Sequence, residues 1–343
     1  VFFLIFISIS NDRQDQIDRY VQNNYIQKEL SKCPPAQSDN IHNFDNDNYV
    51  FNDNENIYAC DQELKRIDAD LCNLLIYGCT FNKLTITKTK MGGALYLSYP
   101  SLTTLANYKN KIENCTFSEC SIGAKGESVG TIGGHGGAIY ITTNKYEYEF
   151  QLINNQFIDN TALANGGAVY LKLHQVYIEE CQFINNIADQ LGNDLYLDFG
   201  IKDRTDECNI KVNNNLFKQT KENTKDSSII FIGCTITNVK FNFNFNTIRI
   251  DVINSNANCH LYLFDLSGQT KDTTNWDFSD NCILPYDPNV LCSELDKPNI
   301  HFNFEDQFKA CTNEEEKTIE PTTGFTCPPA QSDNIHNFDN DNY

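Results

Sequence analysis

The residues of this chain that could do chemistry are few and lie far apart. Cleavage of a polysaccharide needs two carboxyl groups, one to protonate the leaving oxygen and one to activate water, or a cation beside a calcium-bound carboxylate cluster. The nearest candidates are Gly134-His135-Gly136 and Arg249-Ile250-Asp251, and no Asp-Asp pair accompanies them. The glycines around His135 also suit a tight corner of the chain. These residues therefore predict a protein that is not an enzyme, with a polysaccharide hydrolase or lyase as the alternative.

Two acidic segments offer oxygen ligands for calcium. They are Asp45-Asn46-Asp47-Asn48 and Asn52-Asp53-Asn54-Glu55. In the first, Tyr49 stands where an EF-hand loop needs a ligand, so solvated acidic loops are the simpler interpretation. The six His residues are dispersed and no Cys-x-x-Cys motif occurs, which argues against zinc. We expect no cofactor, with calcium left open.

The composition excludes several classes of protein. The 343 residues carry 26 Lys and Arg against 46 Asp and Glu, a formal charge of −20, and this argues against sequence-independent binding of nucleic acid. Apolar residues make up 40% and aromatic residues 12%, which is enough for a packed core. One Met, one Trp and abundant Asn make a helical bundle a poor fit.

Two strand patterns alternate along the chain and predict the elements that hold these residues. The first, aliphatic-x-x-Cys/Asn-x-Phe, occurs at 76–81, 112–117, 152–157, 178–183 and 212–217. The second, Gly-Gly-Ala-aliphatic-Tyr-aliphatic, occurs at 92–97, 136–141 and 166–171, at 192–197 with Asn-Asp in place of Gly-Ala, and in weaker form at 230–232 and 260–263. A repeat of short strands at this spacing is typical of a solenoid, so we predict an all-β, single-stranded parallel β-helix with six or seven turns.

Strand alternation predicts which way the repeated side chains point. In the second pattern the aliphatic residues that flank the Tyr, such as Leu95 and Leu97, should face the core. The Tyr, and the Ala position that becomes Asp194 in a later copy, should then face outward. The outward aromatic residues are the candidates for a ligand-facing surface, with stacking on one another as the alternative. They are Tyr96, Tyr140, Tyr170, Tyr196, Phe231 and Tyr262.

The 14 Cys residues are consistent with an oxidising compartment and some disulfides. Cys79 and Cys115 share one position on consecutive turns, where Cα atoms about 5 Å apart permit a bridge, although stacked free thiols fit equally well. The remaining disulfide candidates lie in the tail, which lacks the repeat. They are Cys282, Cys292, Cys311 and Cys327.

These motifs resemble a known repeat. Gly-Gly-Ala-Ile/Leu/Val, together with Phe-x-x-Asn at 157–160, 183–186 and 278–281, is similar to the paired signatures of the chlamydial polymorphic outer-membrane protein repeat, which also occurs in surface proteins of protists. The resemblance covers about residues 76–200 well and 200–285 loosely. It implies a right-handed parallel β-helix on an exposed, adhesin-like protein. Phe81 and Phe117 depart from the pattern, because neither is followed by Asn at the third position.

The order of segments suggests a unit of a longer array. Residues 1–10 are predicted to be a secretory signal-like segment, 11–32 a short amphipathic helix, 50–285 the β-helix and 286–326 a Cys-containing cap or connector. The 17 residues 33–49 recur identically at 327–343, so the second copy would begin the next tandem unit, or the duplication is an artefact of the gene sequence. No segment besides the first approaches a membrane span in apolar length.

The sequence therefore predicts a secreted or cell-surface protein with a structural or adhesive function. Its partners would be a glycan or protein on a host or neighbouring cell, or further copies of itself in a fibre or coat, and not nucleic acid. A solenoid suits this function because it presents a long, regular wall. The alternative is a secreted β-helix of pectin lyase-like fold that binds or cleaves carbohydrate.

Overall fold

The structure is a computed structural model. It describes residues 49–51, 56–60, 63–70, 72–87, 90–99, 109–123, 133–143, 149–198, 208–220, 230–233, 239–250, 261–262, 264–265, 276–284, 291–292 and 308–311. The segments predicted at 1–10 and 11–32 and the second copy of the duplication lie outside these residues, as does the first copy apart from Tyr49.

All regular structure in the described residues is β-strand. The strands are β1 (Tyr49–Phe51), β2 (Asn56–Cys60), β3 (Ile67–Asp70), β4 (Asn73–Tyr77), β5 (Thr80–Asn82), β6 (Thr85–Ile86), β7 (Leu95–Tyr99), β8 (Lys109–Glu113), β9 (Thr116–Ser118), β10 (Ser121–Ile122), β11 (Ile139–Thr143), β12 (Glu149–Ile153), β13 (Gln156–Ile158), β14 (Thr161–Ala162), β15 (Val169–Lys172), β16 (Gln175–Glu179), β17 (Gln182–Ile184), β18 (Ile187–Ala188), β19 (Leu195–Asp198), β20 (Cys208–Asn213), β21 (Leu216–Gln219), β22 (Ile230–Gly233), β23 (Val239–Asn242), β24 (Thr247–Ile250), β25 (Leu261–Tyr262), β26 (Phe264–Asp265), β27 (Trp276–Asp277), β28 (Asn281–Leu284), β29 (Leu291–Cys292) and β30 (Phe308–Ala310).

The strands stack into parallel sheets, which confirms the predicted all-β parallel β-helix. The first sheet runs β1-β3-β7-β11-β15-β19-β22-β26, the second β2-β4-β8-β12-β16-β20-β23-β27 and the third β5-β9-β13-β17-β21-β24-β28-β30. A fourth sheet, β6-β10-β14-β18, has only four described strands, and β25 pairs with β29 separately. Each turn of the chain adds one strand to each sheet it visits. Among the described residues there is no helix long and apolar enough to cross a membrane.

The predicted inward columns fill the core. Leu95 and Leu97, with their counterparts on the next three turns, have no exposed surface. The Phe side chains of the third sheet stack face to face, with ring centroids 4.6 to 5.1 Å apart and planes within 7°. They are Phe81, Phe117, Phe157, Phe183 and Phe217, all fully buried. Parallel, in-register pairing places identical residues one above another, so a repeated aromatic residue becomes a continuous stack.

Left-handed residues form the corners of each turn. Asn114, Asn154 and Asn214 have φ of 57°, 52° and 57°. Each lies at the corner between a second-sheet strand and the third-sheet strand that follows it. Asn adopts this conformation more readily than most side chains do, because its short amide bonds locally. The Asn-rich composition is therefore in part a consequence of repeated tight corners.

The Ala position of the second strand pattern was predicted wrongly to face outward. Ala94, Ala138 and Ala168 have no exposed surface. They belong to the main hydrophobic core, together with the aliphatic residues that directly follow them. We refer to these three residues as the alanine column.

The register also differs from the predicted columns near the end of the stack. Asp265, and not Tyr262, pairs with Phe231 in the first sheet, whereas Tyr262 pairs with Cys292 in the separate pair of strands. Asn281 begins third-sheet strand β28 and aligns with Asn246, so it does not follow a Phe strand as the motif 278–281 suggested. Strand β30 falls within the predicted connector and stacks on β28.

Candidate functional site

The predicted ligand-facing tyrosines form one stack on the first sheet, here called the tyrosine column: Tyr96, Tyr140, Tyr170 and Tyr196. Successive ring centroids are 5.7, 4.7 and 4.4 Å apart, with planes inclined by 1°, 20° and 8°. Tyr140 and Tyr170 keep only 8% and 9% of their surface exposed, whereas the two end members are partly exposed. The ring faces inside the column are therefore covered by neighbouring rings, while Tyr96 and Tyr196 keep part of their surface accessible. The structure describes no side chain for Phe231 or Tyr262.

His135 packs against the middle of this column. Its ring centroid lies 5.2 Å from that of Tyr170 and 6.3 Å from that of Tyr140. Burial lowers the pKa of His135, so the imidazole is neutral at pH 7, and its Nδ1 atom is buried without a hydrogen-bond partner. A neutral ring held against two phenols acts as packing.

The two inner phenols of this column, Tyr140 and Tyr170, have raised pKa values. Burial, and then the neighbouring Tyr96, raise the pKa of Tyr140 to about 12. Burial and both neighbouring tyrosines raise the pKa of Tyr170 still further. On the same face Lys172 forms an ion pair with Asp198 at 3.6 Å. The column is thus a neutral aromatic stack with one ion pair beside it.

The two motifs that suggested polysaccharide cleavage lie on different sheets. His135 precedes first-sheet strand β11, while Arg249 lies in third-sheet strand β24. Gly136 has φ of 69°, and a Cβ there would lie 2.2 Å from the carbonyl oxygen of Ile139. The corner itself therefore requires this glycine.

A column of amides and thiols runs along the corner between the second and third sheets, here called the amide–thiol column: Cys79, Cys115, Asn155, Cys181, Asn215, Asn246 and Asn281. The Oδ1 atom of Asn155 accepts the main-chain N–H of Cys115 at 2.9 Å, and its Nδ2 donates to the Ile112 carbonyl at 2.8 Å. The Cys181 thiol accepts the N–H of Asn155 at 3.4 Å and donates to the Leu152 carbonyl at 3.4 Å. Amide and thiol therefore make the same pair of contacts between turns.

A shorter column repeats this arrangement after the Phe strands. Cys120 donates its N–H to Asn160 Oδ1 at 2.9 Å, and Asn160 donates to Asn186 Oδ1 at 3.0 Å. The Cys120 thiol lies 3.5 Å from the Phe81 carbonyl, where an Asn would place its Nδ2. The departure from Phe-x-x-Asn at Phe117 is thus a substitution that keeps the hydrogen bonds.

Cys79 and Cys115 are free thiols in the structure, which matches the unbridged alternative. The Cys115 thiol accepts the N–H of Cys79 at 3.3 Å and lies 3.7 Å from the Ile76 carbonyl. Burial raises the pKa of the Cys120 and Cys181 thiols to about 12 and holds that of Cys115 well above its ordinary value. Such thiols are poor nucleophiles and ligands, so their role here is structural.

One disulfide closes the described end of the stack. Cys282 of β28 is bonded to Cys311, which directly follows β30, with Cα atoms 4.8 Å apart. Two of the predicted candidates are therefore joined, and the bond holds the last turn of the third sheet to the one before it. Of Cys292 the structure describes only the backbone, and Cys327 lies outside the described residues.

Sequence reasoning missed a lysine–tyrosine surface on the second sheet. The Lys111 ammonium lies 5.9 Å from the ring centroid of Tyr77, and that of Lys211 lies 5.1 Å from Tyr177. Lys111 also pairs with Glu113 at 2.7 Å. Strand alternation could have found this face, since these residues alternate with the buried aliphatic positions of the same strands.

Sequence reasoning also missed the burial of Asp194. Its carboxyl group has no exposed surface, and Oδ1 accepts a hydrogen bond from Asn186 Nδ2 at 2.9 Å. Burial raises its pKa to about 8. The sequence signal was the replacement of Gly-Ala by Asn193-Asp194 in one copy of the repeat.

The described residues contain no group of three His, Cys, Asp or Glu side chains that could hold a metal ion. Both acidic segments considered for calcium lie outside the described residues.

Comparison with known proteins found no relative. No family model, no curated protein and no solved structure matches the chain.

Proposed function

We propose that this chain is a secreted or cell-surface structural protein with an adhesive role, one β-helix unit of a tandem array, and not an enzyme. The observation that carries this proposal is the use of its repeated side chains. The tyrosine column, the Phe stack and the amide–thiol column all join one turn to the next. Such a molecule is built for length and regularity, which are the properties of a stalk, coat or adhesive fibre.

Two further features support the proposal. The 17-residue duplication at 33–49 and 327–343 is the pattern that tandem units produce. The motif residues His135 and Arg249, which suggested cleavage, belong to separate sheets, and His135 packs against the rings of Tyr140 and Tyr170. The partner would be a surface glycan or protein, or another copy of the chain.

The test measures association and cleavage on the same preparation. We expect the purified chain to self-associate in sedimentation experiments, or to bind a glycan array or intact cells, without releasing reducing ends from acidic polysaccharides. Release of reducing ends that the variant His135→Ala abolishes would overturn the proposal in favour of an enzyme. Absence of both self-association and surface binding would remove the adhesive role.

Carbohydrate binding is the second candidate, and the partly exposed ends of the tyrosine column favour it. Sugar rings stack on open aromatic faces. If Tyr96 and Tyr196 bind glycan, then Tyr96→Ser and Tyr196→Ser should each lower binding at least tenfold. Tyr177→Ser on the second sheet is the matched control and should leave glycan binding unchanged.

A further inference from the structure

The alanine column ends at a buried carboxylic acid. Strand pairing aligns Ala94, Ala138 and Ala168 with Asp194 on successive turns, because Leu95, Ile139, Val169 and Leu195 are partners in the first sheet. All four side chains have no exposed surface. A carboxyl group at a position that otherwise holds a methyl group needs a physical reason.

The residue before the acid also changes, from glycine to Asn193. On earlier turns the residue before the alanine is glycine, because a Cβ at Gly137 or Gly167 would lie 2.0 or 2.2 Å from the carbonyl of the next turn and within 2.8 Å of a fourth-sheet strand. No described strand of the fourth sheet follows β18. Asn193 occupies the position of these glycines, and its Oδ1 accepts the N–H of Ala188, on the last described strand of that sheet, at 2.9 Å.

Asp194 is hydrogen-bonded to the shorter column formed by Cys120, Asn160 and Asn186. Asn186 is the last described amide of that column, and one of its Nδ2 hydrogen bonds goes to Asp194 Oδ1. Asp194 Oδ2 is buried and has no hydrogen-bond partner. The buried carboxyl group of Asp194 is thus held by one hydrogen bond, through Oδ1.

Nothing charged faces this carboxyl group among the described residues. Its surroundings are Ala168, which directly precedes β15, Asn186 from the turn before β18 and Asn193 beside it. Gln219 of β21 donates a hydrogen bond to the carbonyl of Asn186 at 3.3 Å. The charged residues nearest in sequence, Asp189 and Asp198, have partly exposed side chains. Arg66 occupies the equivalent position at the other end of the alanine column, about 19 Å away at the usual strand spacing, and it bonds Asp68 and the carbonyls of Gly92 and Met91.

We propose that Asp194 is held as a neutral acid inside the folded stack, and that its ionisation loosens the β18–β19 segment. The β18–β19 segment should then open less readily at low pH than at high pH. A buried carboxylate without a cation costs free energy that a protonated carboxyl does not.

The sign of the pH effect follows from proton binding. Asp194 keeps its proton in the folded state up to a pKa of about 8, whereas an exposed Asp loses it near pH 4. The folded state therefore binds one more proton between these values. Local opening of the segment should become about tenfold more favourable per pH unit in that window, and level off above it.

The experiment is amide hydrogen exchange of the whole chain, read on the peptide that spans residues 186–198, from pH 5 to pH 9 with correction for intrinsic rates. We expect protection of this peptide to fall about tenfold per unit up to pH 8 in the unmodified chain. Asp194→Asn, which keeps a neutral acceptor, should make it independent of pH. Asp198→Asn, a partly exposed carboxyl on the same strand, is the control and should keep the original slope.

Equal slopes in the unmodified chain and Asp194→Asn would overturn the proposal, as would protection that rises with pH. Asp194→Ala, which restores the residue of the three preceding turns, serves as the second neutral variant. If neither variant folds, the unmodified chain alone decides the question. Exchange protection of its 186–198 peptide that does not change with pH would contradict the proposal.

Discussion

Asn155 and Cys181 occupy the same position on consecutive turns and make equivalent hydrogen bonds to the turn below. The Cys181 thiol accepts the N–H of Asn155 at 3.4 Å, as Asn155 Oδ1 accepts that of Cys115 at 2.9 Å. A thiol is the weaker partner, because its hydrogen bonds are longer and less polar than those of an amide. The amide–thiol column therefore contains both stronger hydrogen bonds, made by Asn, and weaker ones, made by Cys.

The first prediction exchanges these residues. Cys181→Asn should fold and be as stable as the original chain or up to about 1 kcal/mol more stable, because the amide shortens two existing hydrogen bonds. Cys181→Val, of similar volume, should lose about 1–3 kcal/mol, because the N–H of Asn155 loses its acceptor. Urea unfolding measures both. A more stable Val variant would show that packing, and not hydrogen bonding, maintains the column.

The second prediction concerns the glycines beside the fourth sheet. Gly137→Ala should destabilise the chain by several kcal/mol, or prevent folding, because the new Cβ would lie 2.0 Å from the Gly167 carbonyl oxygen. Gly134→Ala is the comparison, since its Cβ would meet nothing closer than 3.4 Å and only its φ of 82° is unfavourable. That variant should lose about 1–2 kcal/mol. Thermal unfolding of the two variants separates collision from backbone strain.

The third prediction concerns the disulfide. The bond joins residues 29 apart in sequence, and removing it as Cys282→Ser/Cys311→Ser should cost about 3–4 kcal/mol in the chain-entropy estimate. Cys120→Ser is the control for loss of a free thiol. We expect proteolysis of the double variant to begin near β30, and the same cleavage to follow treatment of the unmodified chain with a reducing agent. Identical proteolysis with and without reductant would contradict a stabilising role.

The fourth prediction concerns the tyrosine column at high pH. An unfolded phenol ionises near pH 10, whereas Tyr140 holds its proton to about pH 12 and Tyr170 beyond that. The folded state therefore binds more protons between pH 10 and 12, so its free energy of unfolding must fall as pH rises through this range. Absorbance titration should show two phenols that ionise only on unfolding, and Tyr170→Phe should remove one of them. A Tyr170→Phe chain with the same alkaline transition would contradict this assignment.

The sequence was sufficient to predict the columns of stacked side chains, but it was not sufficient to predict the fourth sheet. Leu95, Phe117 and Tyr140 repeat at matching positions in strands of constant pattern, so parallel stacking determines their neighbours. The fourth sheet could not be predicted, because strands such as Thr85–Ile86 have two residues and show no alternation. The burial of Asp194 was missed because strand alternation placed its column outward, whereas the alanines of that column belong to the main core.

Register beyond residue 230 was lost for a related reason. Tyr262 matches the repeat by residue type, but Asp265 occupies the position beside Phe231. The connections between turns vary in length, so spacing alone cannot distinguish two nearby strands. The tyrosine column was predicted in composition, while its covering by His135 was not, because that contact comes from a corner and not from a strand.

The short fourth sheet has a mechanical consequence. Among the described strands, tension along the stack is carried by main-chain hydrogen bonds of four sheets between β6 and β18, and of fewer sheets on either side. Within this described part of the chain, rupture under load should therefore start outside that section, while residues 85–188 stay folded longest. The described part of the stack should therefore resist tension most strongly in its middle section.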